Sequence, residues 1–81
     1  MVTKDKFRKL PLSDRYRCLT NYGKFLIARY HGSYVVRLYQ IEDYYVEVWL
    51  RIGLEQIQWI ETINEERQLE VYLDRISLKI K

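Results

Sequence analysis

The sequence predicts an α+β domain: a short N-terminal helix, a four-stranded antiparallel meander and a C-terminal helix, with both helices on one sheet face. Three observations carry this expectation. Four segments rich in β-branched and aromatic residues follow one another between turn signals: KFLIARYH, YVVRLYQI, YYVEVWLRI and EQIQWIETI. Their connections are too short for crossovers, so neighbouring strands must run antiparallel. After them, Leu69, Tyr72, Leu73, Ile76 and Ile80 keep the spacing of one buried helical stripe.

A chain of 81 residues holds one core, and residues 1–81 are read as a single domain. Residues 1–11, charged and closed by Pro11, form a basic arm ahead of a folded core at 12–81, with Phe7 and Leu10 able to pin the arm down. In LSDRYRCLTNYG, Ser13 is the expected helix N-cap and Gly23 the stop. Leu12, Tyr16, Leu19 and Tyr22 fall near one side of that helix. Gly32-Ser33 suits a two-residue hairpin loop with glycine first. Glu42-Asp43 and the region of Gly53 close the other two hairpins. Asn64 is the expected cap of the last helix, with Glu65 and Glu66 in its first turn and Lys79 and Lys81 near its end.

Side-chain alternation assigns the sheet faces. Val46, Val48 and Leu50 point to the core, and a short loop at Gly53 sets Ile57 and Trp59 beside them, leaving Gln56 and Gln58 outside. A strict two-residue Glu42-Asp43 loop would turn Arg37 and Tyr39 inward. A longer loop or a bulge would instead bring in Val36 and Leu38, joined by Phe25 and Ile27. The second register is expected, because an unpartnered buried arginine is costly. The outer face then carries Leu26, Tyr30, Arg37, Tyr39, Ile41, Tyr45, Glu47, Trp49, Arg51 and Ile60.

Small domains often supplement a limited core with a disulfide, a metal or self-association. The single cysteine, Cys18, allows no intrachain disulfide. With His31 as the only histidine, the usual four-ligand zinc site cannot form either. No cofactor is expected. His31 lies by a turn, Cys18 sits near two arginines in a helix, and the carboxylates make no recognisable acid/base pair. The three glycines are too far apart for a phosphate loop. No small-molecule substrate is evident, and an enzyme is not expected.

What stands out is an aromatic content of 15%, with eight tyrosines and two tryptophans. Rings are enriched at protein interfaces because one end can be buried while the polar tip stays wet. The expected function is therefore protein interaction, as a homodimer or with another protein, through an aromatic sheet face bearing Tyr30, Arg37, Tyr39, Tyr45, Trp49 and Arg51. The alternative is binding of single-stranded nucleic acid by the same rings. A basic arm of Lys4, Lys6, Arg8, Lys9, Arg15 and Arg17 would assist it. Residues 1–30 carry eight Lys/Arg against two acidic residues, and the remainder six against nine. The aromatic glycine-phenylalanine signature of RNA-recognition sheets is missing, and Glu47 would repel phosphate. No apolar run is long enough for a membrane span, and no signal-peptide core stands at the N-terminus, so a cytoplasmic location is expected.

The stretch LYQIEDYYVEVWLRIG resembles small, uncharacterised bacterial proteins in which a tyrosine-rich hairpin with a VEVW-type strand precedes a C-terminal helix. The likeness spans about residues 22–78. It implies a stand-alone bacterial domain and brings no activity, cofactor or site residue.

Overall fold

The structure, a computed structural model, describes residues 2–73. Two helices, α1 (Lys4–Arg8) and α2 (Leu12–Tyr22), lead into strands β1 (Lys24–His31), β2 (Tyr34–Ile41), β3 (Tyr44–Arg51) and β4 (Ile57–Thr62). A 3-10 helix over Glu66–Tyr72 follows. The strands form one antiparallel sheet in the order β1-β2-β3-β4, the expected meander. Among the described residues, no helix is long and apolar enough to cross a membrane.

The segment expected as an arm is part of the core. Thr3 caps α1 by accepting a hydrogen bond from the Lys6 backbone N–H, and Phe7 is 0% exposed. Its ring meets Tyr44 edge-on at 6.0 Å, and the Tyr44 hydroxyl donates to the Val2 carbonyl at 2.8 Å. α2 starts two residues earlier than expected, with Pro11 rather than Ser13 at the N-cap and without a side-chain cap. It ends at Gly23, whose N–H donates to the Leu19 carbonyl at 2.8 Å. A Cβ at position 23 would stand 2.7 Å from that carbonyl oxygen, so only glycine fits the close approach.

Both sheet faces are covered. Phe7, Cys18 and Leu19 pack with Ile41, Tyr44, Val46, Val48, Leu50 and Ile60 on one face. Leu69 and Tyr72 of the 3-10 helix pack with Leu38 and Ile63 on the other, flanked by Leu26, Ile27 and Tyr45. The expectation that both helices share one face is therefore corrected: the C-terminal helical segment lies opposite α1 and α2. Gln68 accepts from the Asn64 and Glu65 backbone N–H groups, and Glu65 rather than Asn64 is the N-cap. Leu69 and Tyr72 are buried as the stripe predicts, whereas Leu73 is exposed. Ile76, Lys79, Ile80 and Lys81 lie outside the described residues.

A second buried face overturns the expected register. Ile41 pairs directly with Tyr44, so the Glu42-Asp43 loop is the strict two-residue turn. Arg37 lies across from Val48 and Tyr39 from Val46, on the side of α1 and α2. Glu42 accepts a φ of 52° to close the turn, at a cost of about 1 kcal/mol for a residue with a Cβ. In exchange Val36 and Leu38 are fully buried on the opposite side.

Two irregularities shift the other strands. A bulge between Phe25 and Ile27 leaves Phe25 on the α1/α2 side, half exposed, while Leu26 and Ile27 both join the second cluster. A shift in β4 after Ile57 keeps Ile57 beside Leu50 but pairs Trp59 with Trp49 and Ile60 with Val48. Trp59 is thus on the face opposite the one expected, and Ile60 and Ile41, expected outside, are core residues. In the first hairpin Gly32 takes φ +58°, as a glycine-first turn requires.

Candidate functional site

The face carrying Tyr45, Glu47, Trp49 and Arg51 divides into two parts. Under the 3-10 helix, Glu47 is only 3% exposed and Tyr72 1%. The Tyr72 hydroxyl donates to Glu47 Oε2. Arg29 donates through Nη2 to the same oxygen at 3.2 Å and through Nε to the Tyr72 hydroxyl at 3.0 Å. Each member of this triad is hydrogen-bonded to the other two, the pairing that a buried carboxylate demands. Burial pushes the Tyr72 phenol well up, the hydrogen bond to Glu47 adds to it, and Arg29 opposes it. Burial works against the Arg29 charge, but Tyr72 and Glu47 outweigh it and raise its pKa. The triad is a latch holding the 3-10 helix on the sheet.

Beyond the latch, rings fill the face. Trp49 and Trp59 stack at 4.9 Å, and Tyr34 meets both edge-on at 5.7 and 5.2 Å. His31 packs edge-on against Trp49, and the Arg29 guanidinium lies 5.5 Å from the Trp49 ring centre. Trp49 Nε1 is buried without a hydrogen-bond acceptor within bonding distance among the described residues. Glu61 lies across from Glu47. Burial and the Glu47 charge raise its carboxyl pKa, and the neighbouring Trp59 and Trp49 side chains oppose the rise. These rings pack against one another, with Trp59 keeping 38% of its surface exposed.

The α1/α2 face is covered over β3 and β4 and more open along β1. Arg15 ties the helices to β4, donating to the carbonyls of Leu10, Arg8 and Ile60. Lys4 Nζ donates to the Ile63 carbonyl at 2.7 Å. At the β1 margin of this same face Tyr30 is 79% exposed and Phe25 50% exposed. Phe25 packs edge-on against Tyr39 at 5.7 Å. Between Phe25 and Tyr30 comes the small Ala28, directly across from Arg37. Among the described residues, β1 has β2 as its hydrogen-bonded neighbour and its outer edge is unpaired.

The residues expected to form one aromatic face fall on two. Tyr30, Arg37 and Tyr39 share the α1/α2 face near β1, while Tyr45, Trp49 and Arg51 share the other. The basic arm is divided as well. Lys4 and Arg15 are structural, Arg17 lies 3.5 Å from Asp14 in an exposed pair, and Lys6, Arg8 and Lys9 are exposed. Phe25, which the sequence argument sent to the core, belongs to the open β1 margin instead. The bulge that moves it has no clear signal in KFLIARYH.

An open cleft of about 440 Å³ lies between Lys4, Glu42, Asp43, Glu65 and Glu66. Its lysine is already bound to a backbone carbonyl. Among the described residues, no three His, Cys, Asp or Glu side chains converge to hold a metal ion. Burial raises the Cys18 thiol pKa, which keeps it protonated and unreactive at neutral pH. Comparison with protein-family models, curated proteins and solved structures finds no match.

Proposed function

We propose that the chain is a protein-interaction module that docks another protein along the β1 side of its sheet. One observation carries the reading: two highly exposed rings, Phe25 and Tyr30, stand on the strand whose outer edge has no partner among the described residues. The opposite side differs, because Arg15 and Lys4 bind carbonyls in and after β4. An open edge with exposed aromatics beside an arginine has the composition of an interface centre. The Trp49–Trp59 stack gives less support to docking, since each ring already has ring neighbours. Nucleic-acid stacking is weakened by the same fact and by the structural use of Lys4, Arg15 and Arg29.

Site-specific photocrosslinking in the cells of origin tests the proposal. A benzophenone side chain at Tyr30 should give a discrete adduct with one other protein. The same group at Leu54, on the exposed β3–β4 turn, should not. Absence of an adduct at Tyr30, or the same adducts at both positions, would refute the docking side.

A further inference from the structure

Residues 24–41, the β1–β2 hairpin, contain Lys24, Arg29 and Arg37 and no Asp or Glu. The Lys and Arg residues outside it equal in number the eleven Asp and Glu of the chain, so the formal net charge of +3 resides on this hairpin. Arg29 is neutralised by Glu47. Arg37 is not: among the described residues it forms no ion pair, and its cross-strand neighbours are Ala28 and Val48. Ala28 separates it from the open edge with only a methyl group, and Phe25 and Tyr30 stand to either side along β1. The partly buried Arg37 therefore sits one strand in from the edge, between two exposed rings.

Resting on the interaction reading above, we infer that β1 takes an extended, carboxylate-bearing segment of the partner as a fifth strand, with the carboxylate on Arg37. Strand addition supplies the edge with the backbone hydrogen bonds it lacks, and alternate side chains of the added strand give specificity. The bulge at Leu26 leaves Ile27–His31 as the regular part of the edge, and five residues make an ordinary strand. An arginine fork matches a carboxylate in geometry as well as charge. The charge selects the occupant. A second copy would bring an equally cationic hairpin to this edge, so self-pairing is disfavoured by like-charge repulsion.

The probe is a dye-labelled hexapeptide, acetyl-TVEVTV-amide, with a Gln counterpart and a backbone N-methylated control. Fluorescence anisotropy should show the Glu peptide binding roughly tenfold tighter than the Gln peptide, the weight of one charge-assisted contact. Arg37→Gln should abolish that preference and Arg37→Lys retain part of it, with both variants shown folded by amide NMR spectra. Hydrogen exchange should slow at Ile27–His31 on binding. Equal affinity for the Glu and Gln peptides would overturn the inference, and so would a preference surviving in Arg37→Gln. Equal binding of the N-methylated control overturns strand addition. Binding by neither peptide at millimolar concentration overturns the inference too, as does a wild-type dimer with protected β1 amides. A Tyr30 adduct together with peptide failure would leave the interaction reading standing and remove this one alone.

Discussion

Replacing Tyr72 by Phe tests whether the buried triad holds the C-terminal helical segment to the sheet. The substitution keeps the ring that packs against the Leu38 cluster and lies 5.4 Å from the Arg29 guanidinium. It removes one oxygen. That oxygen donates to Glu47 and accepts from Arg29 Nε. Glu47 is nearly inaccessible, so water cannot replace the lost donor. A hydrogen bond to a buried charged group contributes about 1.5–3 kcal/mol. Arg29, partly open to solvent, can recover its own loss, so the expected destabilisation is about 2 kcal/mol. With a urea slope of about 1 kcal/mol per M for a domain this small, the unfolding midpoint should fall by about 2 M. In a Glu47→Gln background the same change should cost less than about 1 kcal/mol, because the charge it served is gone. A loss below about 0.5 kcal/mol in the wild-type background would refute the reasoning. It would mean that Arg29 alone satisfies Glu47, and that the hydroxyl is incidental to the latch.

Four further outcomes are expected. Phe7→Ala should destabilise by about 3–5 kcal/mol in guanidinium unfolding, as for a fully buried ring; an N-terminal arm outside the core would give almost no change. Glu42→Gly should stabilise by up to about 1 kcal/mol, because φ 52° costs glycine little. Glu61 has a raised folded pKa, so its contribution is present below the ordinary carboxyl range and is lost as pH rises through that raised value. Glu61→Gln should therefore flatten the decline in stability above about pH 4.5, read as unfolding midpoints from pH 4 to 7. At the alkaline end, burial first and then the nearby Cys18, Glu42 and Asp43 push the Tyr44 phenol up to about 12. Stability should be intact below about pH 10 and fall as pH rises from there. Tyr44→Phe should reduce that loss, measured by ultraviolet absorbance of tyrosinate alongside circular dichroism.

Strand number and order, and the ends of β1 and β2, were legible because they depend on local features: β-branched and aromatic runs, a Gly-first turn, and connections too short to cross over. Face assignment was not, because it depends on how many faces are buried. VYL at 71–73 offers no sign that Tyr72 will reach across to a carboxylate on β3. Without that contact Glu47 reads as a solvent marker, and the Tyr45–Trp49 face reads as surface. Once one face was taken as exposed, avoiding a buried Arg37 favoured the wrong register. The structure resolves the conflict differently. Arg37 does turn to the α1/α2 side, but near β1, where it stays only partly buried. Phe7 was hidden for a related reason: five helical residues flanked by lysines resemble a solvated tail unless the single buried ring is weighed against them. For the candidate site, Tyr30, Arg37 and Tyr39 were found as a group, while Phe25 was lost to a bulge that depends on tertiary packing.

A four-stranded meander necessarily leaves two edges, and this chain treats them differently. On the β4 side, basic residues from the N-terminal segment donate to the carbonyls of Ile60 and Ile63. Charge that looked available for a polyanion is thereby used to fasten the helices down. Among the described residues, the β1 edge has only the Leu26 bulge to interrupt it. Bulges and edge charges both discourage unwanted strand pairing, but they do so with different selectivity. The bulge shortens the usable edge for every comer. Positive charge on the hairpin repels another copy of the same hairpin and attracts a strand of opposite sign. On the proposed reading, an edge guarded by charge disfavours pairing with a second copy and favours an acidic segment. That asymmetry is why the docking argument rests on β1 and not on the more aromatic Trp49 face.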